Sequence, residues 1–199
     1  MIHTFLRSLL ALAILGFSLN PVAFAQISNP FGSDKTISQQ KQDILKKNDE
    51  ILKHLYQVQP KAKELIDRSI GYATFSNFGM KILIAGGGSG SGVVMNKSNT
   101  KPIYMNMAEV QAGIGLGIKS FQNIFVFQTE AALNDFVNSG WTFGGQVTAA
   151  AKYEKKGDAY QDATVVAPGV LMYQITDSGL AAEITGKGTK YYKNSDLNK

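Results

Sequence analysis

The side chains that most often carry catalysis are scarce in this 199-residue sequence. It contains no cysteine, which excludes thiolate nucleophiles, thiolate metal sites and disulfides. Its two histidines are His3 and His54, so little imidazole is available for acid–base or metal chemistry. His54 also follows Lys53, an unfavourable neighbour for a bound cation. These residues predict a protein that is not an enzyme and that holds no metal or other cofactor.

Pairs of acidic side chains are the remaining catalytic possibility. Asp158 with Asp162, or Glu109 with Glu183, could meet in space and act as acid and base. Fifteen acidic residues spread over the chain produce such pairs by chance, so they carry little weight. The Asn194-Ser195-Asp196 triplet lacks the glycine and the bidentate glutamate of a calcium loop.

Two glycine-rich stretches invite a nucleotide-binding interpretation, but neither has the required spacing. A dinucleotide fingerprint needs a glycine five positions after its first one. That position is Val93 when counted from Gly88, and Ile118 when counted from Gly113. The Gly-Lys step at 186–187 is followed by glycine, whereas a P-loop requires serine or threonine. Close backbone packing inside strands is therefore the favoured interpretation of these glycines.

Basic side chains beside apolar or aromatic residues form the strongest remaining signal. The net charge is +5, and such cations suit anionic lipid headgroups, at about 1 kcal/mol per lysine or arginine near the surface. The alternative is an ordinary solvated face, because Asp43, Asp49 and Glu50 lie among the first lysines. Nucleic acid is not expected as a partner, since no recognised binding motif is present. The candidate lipid-binding residues are Lys46, Lys47, Lys53, Lys61, Lys63, Arg68, Lys152, Lys155, Lys156, Lys187, Lys190 and Lys193.

The first 25 residues have the pattern of a secretory signal peptide. Arg7 precedes an apolar run over 9–17, and Ala23-Phe24-Ala25 forms a small-x-small cleavage site before Gln26. The apolar run is far shorter than the roughly 20 residues that span a bilayer. The sequence therefore predicts a periplasmic or secreted protein, cleaved near Ala25-Gln26. The expected organisation is a signal peptide over 1–25, a flexible lead-in over 26–37 and a single domain over 38–199.

Three amphipathic helices are predicted from the spacing of apolar residues. The first begins near Ser38, the second follows Pro60 and ends at Gly71, and the third runs from Thr129 to Gly140. The apolar stripe of the first helix consists of Ile44, Leu45, Ile51, Leu52 and Leu55.

After Gly71 the period changes to that of strands. Short strands are predicted over 72–75, 81–85, 93–95, 103–107, 111–119, 123–128, 141–151, 164–166, 170–176, 180–186 and 189–192, with a turn at 177–179. In the strand over 111–119, Gly113, Gly115 and Gly117 are expected to face a helix or another backbone closely. The predicted fold class is α+β: N-terminal amphipathic helices precede a curved, mostly antiparallel sheet or half-barrel with one inserted helix.

Several collinear motifs resemble the bacterial branch of the SYLF-domain (Ysc-type) lipid-binding family. They are Gly71-Tyr72-Ala73-Thr74-Phe75-Ser76-Asn77, the glycine run over 85–92, Met107-Ala108-Glu109-Val110, Gly113-Ile114-Gly115-Leu116-Gly117, Asp135-Phe136-Val137-Asn138-Ser139-Gly140-Trp141, Ala167-Pro168-Gly169-Val170 and Gly188-Thr189-Lys190-Tyr191-Tyr192. The resemblance implies the family's fold and an affinity for acidic lipid headgroups. It assigns no catalytic residue.

Two functional interpretations remain open. In the first, the protein is a peripheral module that binds an anionic phospholipid or membrane surface, and its lysines should share one face. In the second, it carries a hydrophobic ligand or acts as an envelope scaffold with a protein partner. A cavity lined by Phe125, Phe127, Met172 and Ile184 would favour the second interpretation.

Overall fold

The computed structural model describes residues 35–82, 85–112, 117–143, 163–176, 179–180 and 188–199. The helices in this part of the chain are α1 (Ile37–Val58), α2 (Ala62–Arg68) and α3 (Glu130–Ser139). The strands are β1 (Gly71–Ile82), β2 (Ala85–Asn96), β3 (Asn99–Ala112), β4 (Gly117–Phe127), β5 (Thr142–Phe143), β6 (Thr164–Ala167), β7 (Val170–Thr176), β8 (Gly179–Leu180) and β9 (Thr189–Lys193). The predicted α+β class is confirmed, with α3 as the inserted helix.

The helices begin and end where local chemistry dictates. Thr36 and Gln39 form a capping box at α1, in which the Gln39 amide donates to Thr36 Oγ1 at 3.2 Å and Gln39 Oε1 accepts from the Thr36 amide at 2.9 Å. Thr129 Oγ1 accepts from the Ala132 amide at the start of α3. Gly140 follows α3 with a φ of 66°, in the left-handed region that favours glycine.

All strand pairs of the described residues are antiparallel, in the order β5-β9-β3-β2-β1-β4-β7-β6, with β8 beside β7. The predicted strands over 72–75 and 81–85 are largely one strand, because β1 continues without a break to Ile82. The glycine-serine run over 86–92 precedes the predicted strand over 93–95, and its glycines were expected to pack inside strands. The run lies inside β2, where β1 and β3 pair with its backbone on both sides. The two flanking strands pair with its backbone amides and carbonyls, so the run forms a strand without residues of high β-propensity.

The sheet carries helices on both faces, and alternation along each strand separates two apolar cores. We call the cluster between the sheet and α3 the α3-side core; it includes Phe75, Phe125, Phe136 and Tyr191. We call the cluster between the sheet and α1 and α2 the α1-side core. Its buried members are Ile51, Leu55, Ala62, Ile66, Ile124, Val126, Val165, Leu171, Tyr173 and Ile175.

A contact between two distant strands shows how strongly the sheet curls. Three strands separate β9 from β4, which in a flat sheet would place them about 19 Å apart. Nevertheless Asn123 Nδ2 on β4 donates to the Tyr191 hydroxyl on β9 at 2.9 Å. The sheet therefore folds around the α3-side core as a half-barrel, as the sequence predicted.

Glycine permits one of the close approaches inside this curl. A Cβ at Gly92 would overlap the Thr74 carbonyl oxygen and lie 2.7 Å from Phe75 Cε1. Gly92 is thus required by backbone and ring packing. The predicted close packing at Gly113 and Gly115 lies outside the described residues.

Candidate functional site

Helices α1 and α2 lie on the same face of the sheet and gather six of the candidate residues. We call their solvent-exposed side the helical face. Its exposed basic residues are Lys46, Lys47, Lys53, Lys61, Lys63 and Arg68. The amphipathic period explains the grouping, because the apolar stripe of α1 packs on the sheet and turns the lysines outward.

The two described candidates on β9 lie on opposite sides of the sheet. Lys193 lies on the α3 side and donates to Asn138 Oδ1 of α3 at 3.2 Å. Lys190 flanks the buried Tyr191 and therefore faces the side of α1. The remaining candidates, Lys152, Lys155, Lys156 and Lys187, lie outside the described residues.

Half of the cations on the helical face are paired with neighbouring acids. Lys47 lies 3.1 Å from Glu50, Lys63 lies 2.6 Å from Asp67, and Arg68 pairs with Glu64. Exposed pairs of this kind contribute at most about 1 kcal/mol, so they open readily for another anion. The other three cations, Lys46, Lys53 and Lys61, have no ion-pair partner in the part of the chain that the structure describes.

The two faces differ in net charge. The α1–α2 segment over 37–69 carries seven basic and five acidic side chains, which leaves +2 with histidine neutral. Helix α3 carries Glu130 and Asp135 and no basic residue, which gives −2. An anionic surface therefore attracts the α1–α2 segment and repels helix α3 itself, beside which Lys193 supplies one positive charge.

Polar contacts attach α1 to the sheet alongside its apolar stripe. Thr74 Oγ1 of β1 donates to Asn48 Oδ1 at 2.8 Å, and both side chains are buried. His54 Nδ1 lies 3.3 Å from Gln122 Oε1 of β4. The ammonium of Lys41 lies 5.5 Å from the centre of the Tyr104 ring. Sequence analysis missed the role of Asn48, although its position three residues before Ile51 places it on the inner face.

The N-terminal half of α1 is only loosely covered. None of the residues over 37–47 is buried, and Ile44 and Leu45 are half-buried. Ile37 is 48% exposed. Burial begins at Asn48 and continues with Ile51 and Leu55.

Tyrosines near the helices titrate far from neutral pH. Burial, assisted by nearby Tyr72 and Asp67, raises the pKa of Tyr56 to about 12. Burial also raises the pKa of Tyr72 and of Tyr104. These hydroxyls therefore stay neutral at pH 7 and add no charge to the helical face.

The proposed ligand cavity coincides with a packed part of the α3-side core. The Phe136 ring of α3 lies 5.1 Å from both the Phe125 and Phe127 rings, centre to centre. Met172 is 1% exposed in the same cluster, and Ile184 lies outside the described residues. Phe136 thus occupies the space that a hydrophobic ligand would need between these residues.

A buried polar chain crosses the same core. Gln174 Nε2 donates to Asn123 Oδ1 at 2.9 Å, and Asn123 in turn donates to Tyr191. Burial raises the pKa of the Tyr191 hydroxyl well above its usual range. The sequence signal for these hydrogen bonds is a polar side chain, here Asn123, in an otherwise apolar strand. A buried polar group of this kind needs hydrogen-bond partners.

The residues that the structure describes lack two further kinds of feature. They contain no cluster of three histidine or acidic side chains placed to hold a metal ion. None of their helices is both long enough and apolar enough to cross a membrane.

Comparison with known proteins identifies the family. Residues 108–199 match the family model Ysc84, described as a Las17-binding protein and actin regulator. The chain is also 31% identical over 152 residues to Beta cell expansion factor A of Aeromonas veronii. The aligned region covers 75% of this chain and 55% of that protein. The chain belongs to the SYLF family. It spans about half the length of this curated relative.

The segment that matches the family model and the helical face are different parts of this SYLF chain. The segment over 108–199 includes β4, α3 and β9, and therefore Phe125, Phe136 and Tyr191 of the α3-side core. Helices α1 and α2 precede it. The family resemblance is confirmed, and the family model does not include the residues of the helical face.

Proposed function

We propose that this SYLF protein is an exported, non-catalytic lipid-binding module whose helical face contacts anionic phospholipid headgroups. The observation that carries the proposal is the gathering of six basic side chains on one face, three of them without an ion-pair partner among the described residues. The charge of +2 on the α1–α2 segment, against −2 on helix α3 and one positive charge on Lys193 beside it, favours one orientation at a negative surface.

The size of the attraction follows from the number of cations that reach the headgroups. Each lysine near an anionic surface contributes about 1 kcal/mol, so Lys46, Lys53 and Lys61 together supply up to about 3 kcal/mol. The attraction is screened within about 8 Å at physiological ionic strength, so binding should weaken as salt is added. The three ion-paired cations add to it when the membrane phosphates replace their acidic partners.

Export is part of this proposal. Cleavage between Ala25 and Gln26 releases a chain that carries the lead-in and both helices into the periplasm or the medium. Phospholipid headgroups at an envelope membrane would then be the accessible anions.

A protein partner in the envelope is the second candidate. It is supported by the description of the matching family, which names binding to a protein. A hydrophobic-ligand carrier is less well supported, since Phe136 fills the space between Phe125 and Phe127.

The test compares equal charge reversals on opposite sides of the sheet. Lys53→Glu alters the helical face, whereas Lys193→Glu alters an exposed residue that lies beside Asn138 on the α3 side. Binding to vesicles of phosphatidylcholine and phosphatidylglycerol is measured by co-sedimentation. Lys53→Glu should lose about 2 kcal/mol of binding free energy, and Lys193→Glu should change it little. Equal effects of both variants, or equal binding to pure phosphatidylcholine vesicles, would contradict the proposal.

A further inference from the structure

Strand β9 carries a buried hydroxyl that makes no hydrogen bond within the described residues. Thr189 is 1% exposed, and its side chain has no partner there. Other buried polar side chains in the described ranges each make at least one hydrogen bond; they include Asn48, Ser69, Thr74, Asn123 and Gln174. A buried hydroxyl without a partner is costly, so a bound molecule that completes it is expected.

The hydroxyl of Tyr191, two residues further along β9, is satisfied on one side only. It accepts from Asn123 Nδ2 at 2.9 Å, and its own proton has no acceptor in the part of the chain that the structure describes. The Asn123 amide uses one of its N–H groups in this bond, while its oxygen accepts from Gln174. Tyr191 is 1% exposed and Asn123 is 2% exposed. Each of these two side chains therefore keeps one buried donor without an acceptor among the described residues.

The unsatisfied groups share the concave side of the sheet with a buried carboxyl group. Thr189 alternates with Tyr191, which belongs to the α3-side core. Glu109 of β3 lies directly opposite Thr189 and alternates with Met107 of the same core. Burial raises the pKa of the Tyr191 hydroxyl, and the charge of Glu109 raises it further, so the carboxyl group lies near that hydroxyl. Strands β3, β4 and β9 thus direct polar side chains toward one place.

Strand β2 leaves room beside these polar side chains. Its residue opposite Glu109 is Gly88, and its residue opposite Met107 is Gly90. Neither adds a side chain to the concave side, and both are half-buried although β1 and β3 pair with β2 on either side. A glycine inside a strand often marks a place where a ligand approaches the backbone closely. Space for a ligand is therefore expected along β2 next to Glu109 and Thr189.

We propose that this concave side binds a small uncharged ligand rich in hydroxyl groups, such as a single sugar ring, between Thr189, Tyr191 and Gly88. A hydroxyl both donates and accepts, so one ligand hydroxyl accepts from Tyr191 or Asn123 and another completes Thr189. The unsatisfied protein groups are two hydroxyls and an amide, all uncharged, and they match such a ligand better than an ion. The site lies on the side of the sheet opposite the helical face, so it does not depend on lipid binding.

The test uses D-glucose as the probe and two matched threonine substitutions. Thr189→Val removes the hydroxyl and keeps the shape of the side chain, whereas Thr100→Val makes the same change at an exposed position. Saturation-transfer NMR measures glucose binding. Glucose should bind the unmodified protein and Thr100→Val alike, and it should bind Thr189→Val about tenfold more weakly. D-glucuronate has the same ring with a carboxylate, so it should bind more weakly than glucose beside Glu109.

Thermal unfolding gives a second measurement on the same variants. Glucose should raise the melting temperature of the unmodified protein and of Thr100→Val, and raise that of Thr189→Val less. Without glucose, Thr189→Val should melt no lower than the unmodified protein, because its hydroxyl has no partner to lose among the described residues.

Four results would overturn the proposal. The first is an unmodified protein that gives no saturation transfer to glucose. The second is equal binding to Thr189→Val and Thr100→Val, which would mean that the sugar binds elsewhere. The third is tighter binding of glucuronate than of glucose, which would contradict an uncharged ligand. The fourth is a lower melting temperature of Thr189→Val in the absence of glucose, which would show that an ordered water or the protein already completes the hydroxyl. None of these results bears on lipid binding by the helical face.

Discussion

The two faces of the sheet are built on different principles. The α3-side core holds six aromatic side chains among its buried members, joined by ring contacts such as the 4.7 Å Phe75–Tyr191 pair. The described α1-side core has one aromatic residue among its buried members, Tyr173, with Tyr56 and Tyr72 partly buried beside it, and its helix is attached partly through polar contacts. Dense aromatic packing stabilises the α3 side, whereas aliphatic side chains and polar contacts hold the charged helix α1 on the other side.

The largest expected effect comes from removing the aromatic centre of the α3-side core. Phe136→Ala deletes a ring that contacts Phe125, Phe127 and Tyr191, and a large-to-small change of this kind costs about 3–5 kcal/mol. Urea unfolding followed by circular dichroism measures the loss. If Phe136→Ala lowers the free energy of unfolding by less than a surface substitution does, the α3-side core does not dominate stability.

The second effect concerns the close approach at Gly92. Gly92→Ala forces a Cβ into the Thr74 carbonyl and the Phe75 ring, which should destabilise by about 1–3 kcal/mol. Ser91→Ala is the control, because alternation turns Ser91 away from Phe75. Equal melting temperatures of the two variants would mean that the backbone relaxes around the added methyl group.

The third effect compares the buried hydroxyl of Tyr191 with that of its exposed neighbour Tyr192. Tyr191→Phe leaves Asn123 Nδ2 without its acceptor and should cost about 1–3 kcal/mol, while Tyr192→Phe, at an exposed position, should be nearly neutral.

The same variant has a signature in alkali. Burial raises the pKa of Tyr191 in the folded state. The contribution of its neutral hydroxyl to the free energy of unfolding is therefore complete below the ordinary pKa of 10.0 and declines as pH rises above that value. The free energy of unfolding, measured across that range, should fall less steeply with pH for Tyr191→Phe than for the unmodified protein. An unchanged slope would contradict the burial of this hydroxyl.

The smallest effect tests the polar attachment of α1. Asn48→Ala removes the acceptor of the Thr74 hydroxyl and should cost about 1 kcal/mol. Hydrogen exchange should then accelerate in α1 while the amides of β4 keep their protection. Asp49→Ala, at an exposed position of the same helix, is the control. Equal acceleration in β4 would show that α1 opens only when the whole domain unfolds.

Local chemistry was enough to predict the helices and the strand-rich remainder. Capping residues such as Thr129 and Gly140 act within a few residues, so the bounds of α3 follow closely from the sequence. The glycines over 86–92 were expected inside strands, but the continuity of β2 from Ala85 to Asn96 was not predicted. It depends on β1 and β3 pairing on both sides, which is a property of the whole sheet.

The helical face was predictable for a related reason. A period of 3.6 residues assigns Lys46 and Lys53 to the side opposite Ile51 once the helix is recognised. The ion pairs and the buried role of Asn48 required coordinates, because each depends on side-chain direction or on another strand. The contact between Asn123 and Tyr191 joins residues 68 positions apart and depends on the curl of the sheet.

The most direct measurement of the central claim is to ask which face touches the lipid. Gln57→Cys on α1 and Asn134→Cys on α3 place a single environment-sensitive nitrobenzoxadiazole dye at exposed positions on opposite faces of the sheet. On adding vesicles of phosphatidylcholine and phosphatidylglycerol, the dye at position 57 should brighten and shift to shorter wavelength, and the dye at position 134 should not respond. A response at position 134 alone, or at neither position, would contradict the assignment of the helical face as the lipid-binding surface.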